Sequence, residues 1–347
     1  MIHLKDIAEI TGFSIATVSR VLNNDKSLRA TQETKNIIKT VAEASGYKTL
    51  SEKKKERYKK KNSLSIVIGI IEMSSTDEIL KDPYYIYLKE FLEKVCRKNT
   101  IKSLNLSFDS KKQKYINNNN YNLKVNGLIA IGRFSEIEVK AMEKLSKNIV
   151  FLDTSYPDGN YSSIAPDLEL GVKKGLDYLI EKGHKKIAFI GPIYAPNFFK
   201  TLSLEVRREA FIKYMKEKNL YSDSLLLECE RSSESAENIA REYLLKGGSL
   251  PTAFFTVNES VAIGLIKVLK EFGLNVPKDI SILSYNNTVY SSLISPALSS
   301  VDINCDYMAQ LAIDLVIKQN QIKSFSPVKI LCGSIISEKS SIKALKN

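Results

Sequence analysis

The chain has 347 residues, 44% of them hydrophobic, and carries 51 Lys and Arg against 39 Asp and Glu, for a formal net charge of +12. That length and apolar content bury a substantial core and imply two or three domains, while no stretch approaches the roughly 20 apolar residues that a membrane-spanning helix needs. Residues 1–62 hold 14 Lys and Arg against 7 Asp and Glu, so the excess is concentrated at one end, as a polyanionic partner would require.

The first elements read as a helix-turn-helix. Leu4, Ile7, Ala8 and Ile10 supply the apolar face of one helix, Gly12 permits a reversal, and Ser14 can cap a second helix whose Val18, Val21 and Leu22 pack back. Ile15, Ala16, Thr17, Ser19 and Arg20 then point outward, which suits a helix entering a major groove N-terminus first. A third amphipathic helix runs from Thr31 through Ile37, Ile38, Val41 and Ala42 and closes at Gly46. The segment 48–62 is charged and nearly free of apolar residues, so it is expected to be a linker.

From Ser65 the pattern becomes buried strands alternating with amphipathic helices. The strand candidates are Ile66–Ile71, Ser103–Phe108, Gly127–Ile131, Ile149–Asp153, Lys186–Gly191, Leu225–Cys229, Ala253–Val257 and Ile280–Tyr285. This rhythm implies parallel sheets covered on both faces, and its length implies two doubly wound subdomains with a ligand cleft between them. The helix Pro83–Asn99 offers Tyr87, Leu88, Phe91 and Val95 for a homodimer interface, or for covering the sheet. The run Asn117–Asn120 reads as a surface loop.

Cys96, Cys229, Cys305 and Cys332 form no C-x-x-C pair and are expected to be buried thiols; with only His3 and His184, neither a metal nor a cofactor is expected. Lys5, Asp6 and Glu9 interrupt any apolar run at the start, so no signal peptide is expected and the protein is placed in the cytoplasm. Gly-rich phosphate loops, G-x-S-x-G elbows and H-E-x-x-H motifs are missing from the sequence, which argues against an enzyme.

Lys5, Asp6, Ala8, Gly12, Ser14, Thr17, Val18, Ser19, Arg20 and Asn23 fall on the pattern K-D-[IV]-A-x-x-[AT]-G-[VF]-S-x-x-T-V-S-R-x-[LI]-N, and the chain on these residues resembles the lac/gal repressor family of bacterial transcription regulators. Further family-like segments follow in order: 82–85, 149–153, 183–191, 207–211, 255–258 and 280–286. Within the family, residues 47–49 and 82–85 look most like galactose-type repressors of Gram-positive bacteria and the repressor of the evolved β-galactosidase operon. The resemblance implies an all-α headpiece (1–47), a basic linker (48–63) and an α/β core (64–347) like the periplasmic binding proteins. Three crossings between lobes are then expected near Ile164–Pro166, Ser295–Ala297 and Lys323–Ser326, giving one subdomain of about 64–164 plus 296–324 and another of about 165–295 plus 325–347.

Operator reading is expected from Ile15 and Ala16, which can meet thymine methyls, and from Arg20, which can bond guanine O6/N7 or a phosphate; Ser14, Thr17, Ser19 and Asn23 offer donors to phosphate oxygens. The linker departs from the family: Thr49 and Leu50 stand where Pro and Asn are usual, and Glu56 stands where a minor-groove Leu would be. Lys53, Lys54 and Lys55, with Arg57 and Lys59–Lys61, are therefore expected to bind DNA electrostatically. Family positions for the effector fall on Asp82, Asp153, Arg207, Asn258 and Asn286, with Tyr84, Tyr85 or Phe198 to cover a sugar's apolar face. The resemblance implies an operator-binding homodimer that represses a galactose or β-galactoside operon and responds to a small sugar in the cleft. The alternatives are a regulator with a nucleobase or phosphocarrier corepressor, and a sugar sensor that binds DNA weakly.

Overall fold

The computed structural model describes residues 3–23, 25, 28, 30–45, 47, 49, 66–73, 83–117 and 124–345; the basic linker with Lys53, Lys54 and Lys55, and the predicted effector residue Asp82, lie outside them. The chain forms two compact units, Met1–Ser65 and Ile66–Asn347.

The first unit contains α1 (Leu4–Thr11), α2 (Ile15–Leu22) and α3 (Gln32–Ala44). α1 ends at Gly12, whose φ of +74° is a left-handed conformation that glycine adopts without a Cβ clash. The three helices bury Ile7, Ala8, Val18, Val21, Ile38 and Ala42 against one another. Ile10, expected on the inner face, is 63% exposed. At about 100° per residue the stripe through Leu4, Ile7 and Ala8 continues at Thr11, and Ile10 is carried outward; Ile37 is likewise exposed beside the buried Ile38.

In the second unit, the first sheet contains β1 (Val67–Glu72), β2 (Lys102–Asp109), β3 (Lys114–Ile116), β4 (Gly127–Ile131), β5 (Ile149–Leu152), β6 (Ser162–Pro166) and β14 (Lys329–Cys332). Their order among the described residues is β14-β6-β5-β4-β1-β2-β3. The second sheet runs β10-β7-β11-β12-β13-β15, with β7 (Ile187–Gly191), β10 (Leu226–Glu228), β11 (Ala253–Thr256), β12 (Ser281–Asn286), β13 (Ser299–Asp302) and β15 (Ile335–Ser337). Within these sheets every pairing is parallel except β2 with β3 and β13 with β15. A separate antiparallel hairpin joins β8 (Tyr194–Pro196) to β9 (Leu202–Leu204). The central strands β4, β5, β7 and β11 are buried along their whole length, which is why they read as apolar runs rather than as alternation.

Each of the eight expected strands is present, but two of the crossings lie elsewhere. The chain passes between lobes after β6, after β13 and between β14 and β15. Residues 299–302 thus belong to the second lobe and residues 329–332 to the first, the reverse of the expected division. Pro296 reads as a boundary, yet the four-residue strand that follows it is half serine, and so short a polar strand gives no apolar run to detect.

The first lobe is covered by α4 (Tyr84–Lys98), α5 (Glu136–Leu145) and α11 (Cys305–Gln321), and the second by α6 (Leu168–Glu181), α7 (Val206–Glu217), α8 (Ser233–Leu245) and α9 (Glu259–Glu271), with the short α10 (Tyr290–Leu293) leading into β13. On α4, Leu88 and Val95 are buried in the core, so of the four residues offered for an interface only Tyr87 and Phe91 keep partial exposure. Asn117, expected in a surface loop, is buried at the end of β3. All four cysteines are buried and free. The buried His184 bridges the Thr252 hydroxyl and the Lys343 carbonyl, a structural role. No helix among the described residues is long and apolar enough to cross a membrane.

Candidate nucleic-acid interface and ligand cleft

Ser14 caps α2: its hydroxyl accepts from the Thr17 backbone N–H at 3.1 Å and lies 2.9 Å from the Thr17 hydroxyl. The following turn leaves Ile15 49% exposed and Ala16 exposed, because burial of Val18 and Val21 fixes the opposite face toward α1 and α3. Arg20 is exposed one turn later, and its Nε donates to Asp25 at 2.7 Å, which orients the guanidinium along the outer face. Asn23 turns its amide back to the Ser19 carbonyl at 2.9 Å and closes the helix. Ser14, Ile15, Ala16, Thr17, Ser19 and Arg20 thus share one surface, and the signal missed in the sequence is Asp25, which partners Arg20 from beyond the helix.

In the second unit a cavity of about 410 Å³ lies at the carboxyl ends of the parallel strands, the usual place for ligands in open α/β sheets. Asp153 follows β5 and Asn286 ends β12; both have left-handed backbones, with φ +77° and +92°, which Asp and Asn tolerate better than most residues. Two phenols converge on the Asp153 carboxylate: Tyr84 donates to Oδ1 at 2.7 Å and Tyr85 to Oδ2 at 2.9 Å, while Arg133 donates to the Tyr85 oxygen at 3.0 Å. Burial pushes the Asp153 carboxyl above its ordinary value, against the opposing pull of Arg133 and of the two phenols. Burial, reinforced by the neighbouring Asp153, also raises Tyr84 and Tyr85, which keeps both as protonated donors.

Beside this group lies a second carboxylate, and this one is buried. Glu205 accepts from Arg207 Nε at 2.7 Å and from Arg231 Nη2, and Arg207 Nη1 also donates to the Val257 carbonyl at 2.8 Å. Burial alone would raise Glu205, but the two guanidinium groups outweigh it and hold the carboxyl well below the usual range. The Arg207 guanidinium lies 5.3 Å from the ring centre of Tyr285, and the ring is backed by Gly171, where a Cβ would stand 2.0 Å from the phenol oxygen.

Of the predicted effector residues, Tyr84, Asp153, Arg207 and Asn286 line the cavity together. Asn258 does not: it is fully buried and caps α9 by accepting from Val261 N at 3.0 Å. Arg133 and Glu230 also line the cavity and went unrecognised in the sequence, as did Tyr194 and Leu202 of the hairpin. Arg231 lines it too. The hairpin leaves the second lobe after β7, yet its tip is fastened to the first: Phe134 N donates to the Phe198 carbonyl at 3.0 Å, Lys200 pairs with Glu138 at 3.0 Å, and Phe198 packs edge-on against Phe151.

A helix-turn-helix unit on the same chain as a two-lobed cleft domain defines a DNA-binding regulator with a ligand-sensing core. Residues 3–49 match the model of bacterial regulatory proteins of the lacI family, and residues 176–341 match the periplasmic binding protein-like domain. The chain is 32% identical to the HTH-type transcriptional regulator GalR of Streptococcus thermophilus over 92% of its own length and 93% of that protein. The fold is shared with a lac repressor dimer bound to operator and an anti-inducer (TM-score 0.61, 20% identity, 99% of each chain). It is also shared with the transcriptional regulator CelR in complex with cellobiose (TM-score 0.63, 16% identity, 98% of this chain and 100% of that one). The chain belongs to the lacI family of bacterial regulatory proteins, and it is a transcriptional regulator rather than an enzyme.

Proposed function

We propose that this regulator is a cytoplasmic homodimer that represses a galactose or β-galactoside utilisation operon and that a small sugar in the interlobe cleft changes its operator affinity. The observation that carries the sugar reading is the Asp153 carboxylate, held between two phenols at the cavity wall with Asn286 on the facing lobe. Each carboxylate oxygen has two acceptor sites, so one phenol per oxygen leaves capacity for the vicinal hydroxyls of a sugar. The fold relatives described above, one on operator as a dimer and one holding cellobiose, support the same reading.

Because the cavity is lined from both lobes, a sugar that contacts both favours the closed arrangement, and a difference in affinity between two states shifts their populations. A coupling of about 1–3 kcal/mol changes operator affinity by about 5–150-fold. Calorimetry against galactose, lactose, their phosphates and purines, paired with operator titrations in the presence of each binder, tests the proposal. Tight binding of a purine with no response to any sugar would replace the sugar with a corepressor.

A further inference from the structure

We infer that the cavity takes a two-ring glycoside, with the outer ring stacked on Tyr194 of the β8–β9 hairpin. The inference deepens the sugar reading above and rests on it. A pyranose presents hydroxyls at its rim and an apolar C–H face, so a site built for it needs an aromatic platform. The sequence holds no Trp. Tyr84 and Tyr85 are buried with their hydroxyls committed to Asp153, and Phe198 is enclosed by Phe151 and Tyr156 at ring distances of 4.9 and 5.1 Å. Tyr194 lines the same cavity and is 56% exposed.

Next to it Leu202 is 74% exposed and pairs across the hairpin with Pro196, so this wall is apolar and open to water. A two-stranded hairpin with three residues in each strand has little stability of its own. Here it is fixed at both ends, by β7 in one lobe and by Phe198 and Lys200 against the other, so the apolar wall holds a set position over the cavity. The same cavity is lined by the polar groups of Asp153 and Arg133. One hexose, about 12 heavy atoms at protein packing density, fills roughly half of such a space. The inner ring then bonds the polar wall, and the outer ring covers Tyr194 and Leu202.

Calorimetry on the full chain with galactose, glucose, lactose, melibiose and cellobiose tests this, using wild type, Tyr194→Ala and Tyr194→Phe. At least one disaccharide is expected to bind about tenfold more tightly than its monosaccharide, which is about 1.4 kcal/mol. Tyr194→Ala should erase that gain, weakening the disaccharide clearly more than its monosaccharide, and Tyr194→Phe should retain it. Equal affinity for one and two rings, or equal weakening of both by Tyr194→Ala, overturns the inference while the sugar reading stands. Failure of wild type to bind any sugar overturns both.

Discussion

Glu205→Gln removes a negative charge that pairs with both Arg207 and Arg231, and its cost follows from burial. Glu205 is 2% and Arg207 7% exposed, so water cannot replace the missing partner. Breaking a buried pair costs about 3–5 kcal/mol because it leaves a desolvated charge unopposed. For a unit of this size that is a fall in melting temperature of roughly 6–10 °C. A calorimetric scan of the full chain, read on the transition of the larger unit, measures it. The pair also imposes a pH signature. Because the folded carboxyl lies below its ordinary 4.5, its contribution is complete above that pH and declines as pH falls toward the depressed value. The gap between wild type and Glu205→Gln should therefore be constant near neutrality and narrow in acid. Replacing both Glu205 and Arg207 with Met should recover part of the stability, since the more deeply buried guanidinium then leaves with its partner and only the partly exposed Arg231 loses its carboxylate. A loss under about 1 kcal/mol in the single variant, or a gap that widens in acid, would refute the argument.

Ala16→Arg should change the preferred operator in a binding-site selection, with about 1–3 kcal/mol at the base pair concerned; an unaltered consensus would remove Ala16 from the reading surface. Substituting Ala for Lys53, Lys54 and Lys55 should reduce the slope of log K against log salt by about 0.9 for each phosphate that these lysines neutralise, and an unchanged slope would exclude them. Asp153→Asn should weaken sugar binding by about 10–100-fold, the size expected for a hydrogen bond to a charged group. In wild type, protonation removes that acceptor, and because burial raises the Asp153 carboxyl, sugar affinity should begin to fall at a higher pH than for an ordinary carboxylate. The Asn variant should lack this pH dependence, and calorimetry across pH checks both.

The headpiece was legible because short helices around a glycine turn leave few choices: once Val18 and Val21 are buried, the outward set is determined. The parallel core was legible through its apolar runs. The second and third crossings were not, since β13 and β14 are four residues each and are held by neighbours rather than by their own pattern. The cleft was legible in part. Asp153 and Asn286 sit at strand ends, which periodicity locates, and Tyr84 begins the helix after β1. Arg133, Glu230 and Tyr194 follow strands with no local feature to separate them from other surface residues; only the folding of both sheets brings them to one cavity. Asn258 misled for the opposite reason, since Asn at a strand end serves equally well as a helix cap.

Two carboxylates stand beside this cleft, Glu205 buried and Asp153 partly so, and their pKa values are shifted in opposite directions. Glu205 meets two guanidinium groups, its ion pairs outweigh desolvation, and the carboxyl is driven down; its bonding is complete within the protein. Asp153 meets two neutral phenols with Arg133 behind them, desolvation outweighs these partners, and the carboxyl is driven up. A carboxylate whose burial is not fully compensated gains most from new donors. Arg207, which the sequence suggests as a direct ligand to the effector, lines the cavity while its Nε and Nη1 donate to Glu205 and the Val257 carbonyl, so it also holds the wall of the second lobe in place. On the proposed sugar reading, specificity for the inner ring is expected from Asp153 and Asn286, and changes made at Arg207 are expected to disturb the cleft as a whole as well as any contact it makes with the sugar.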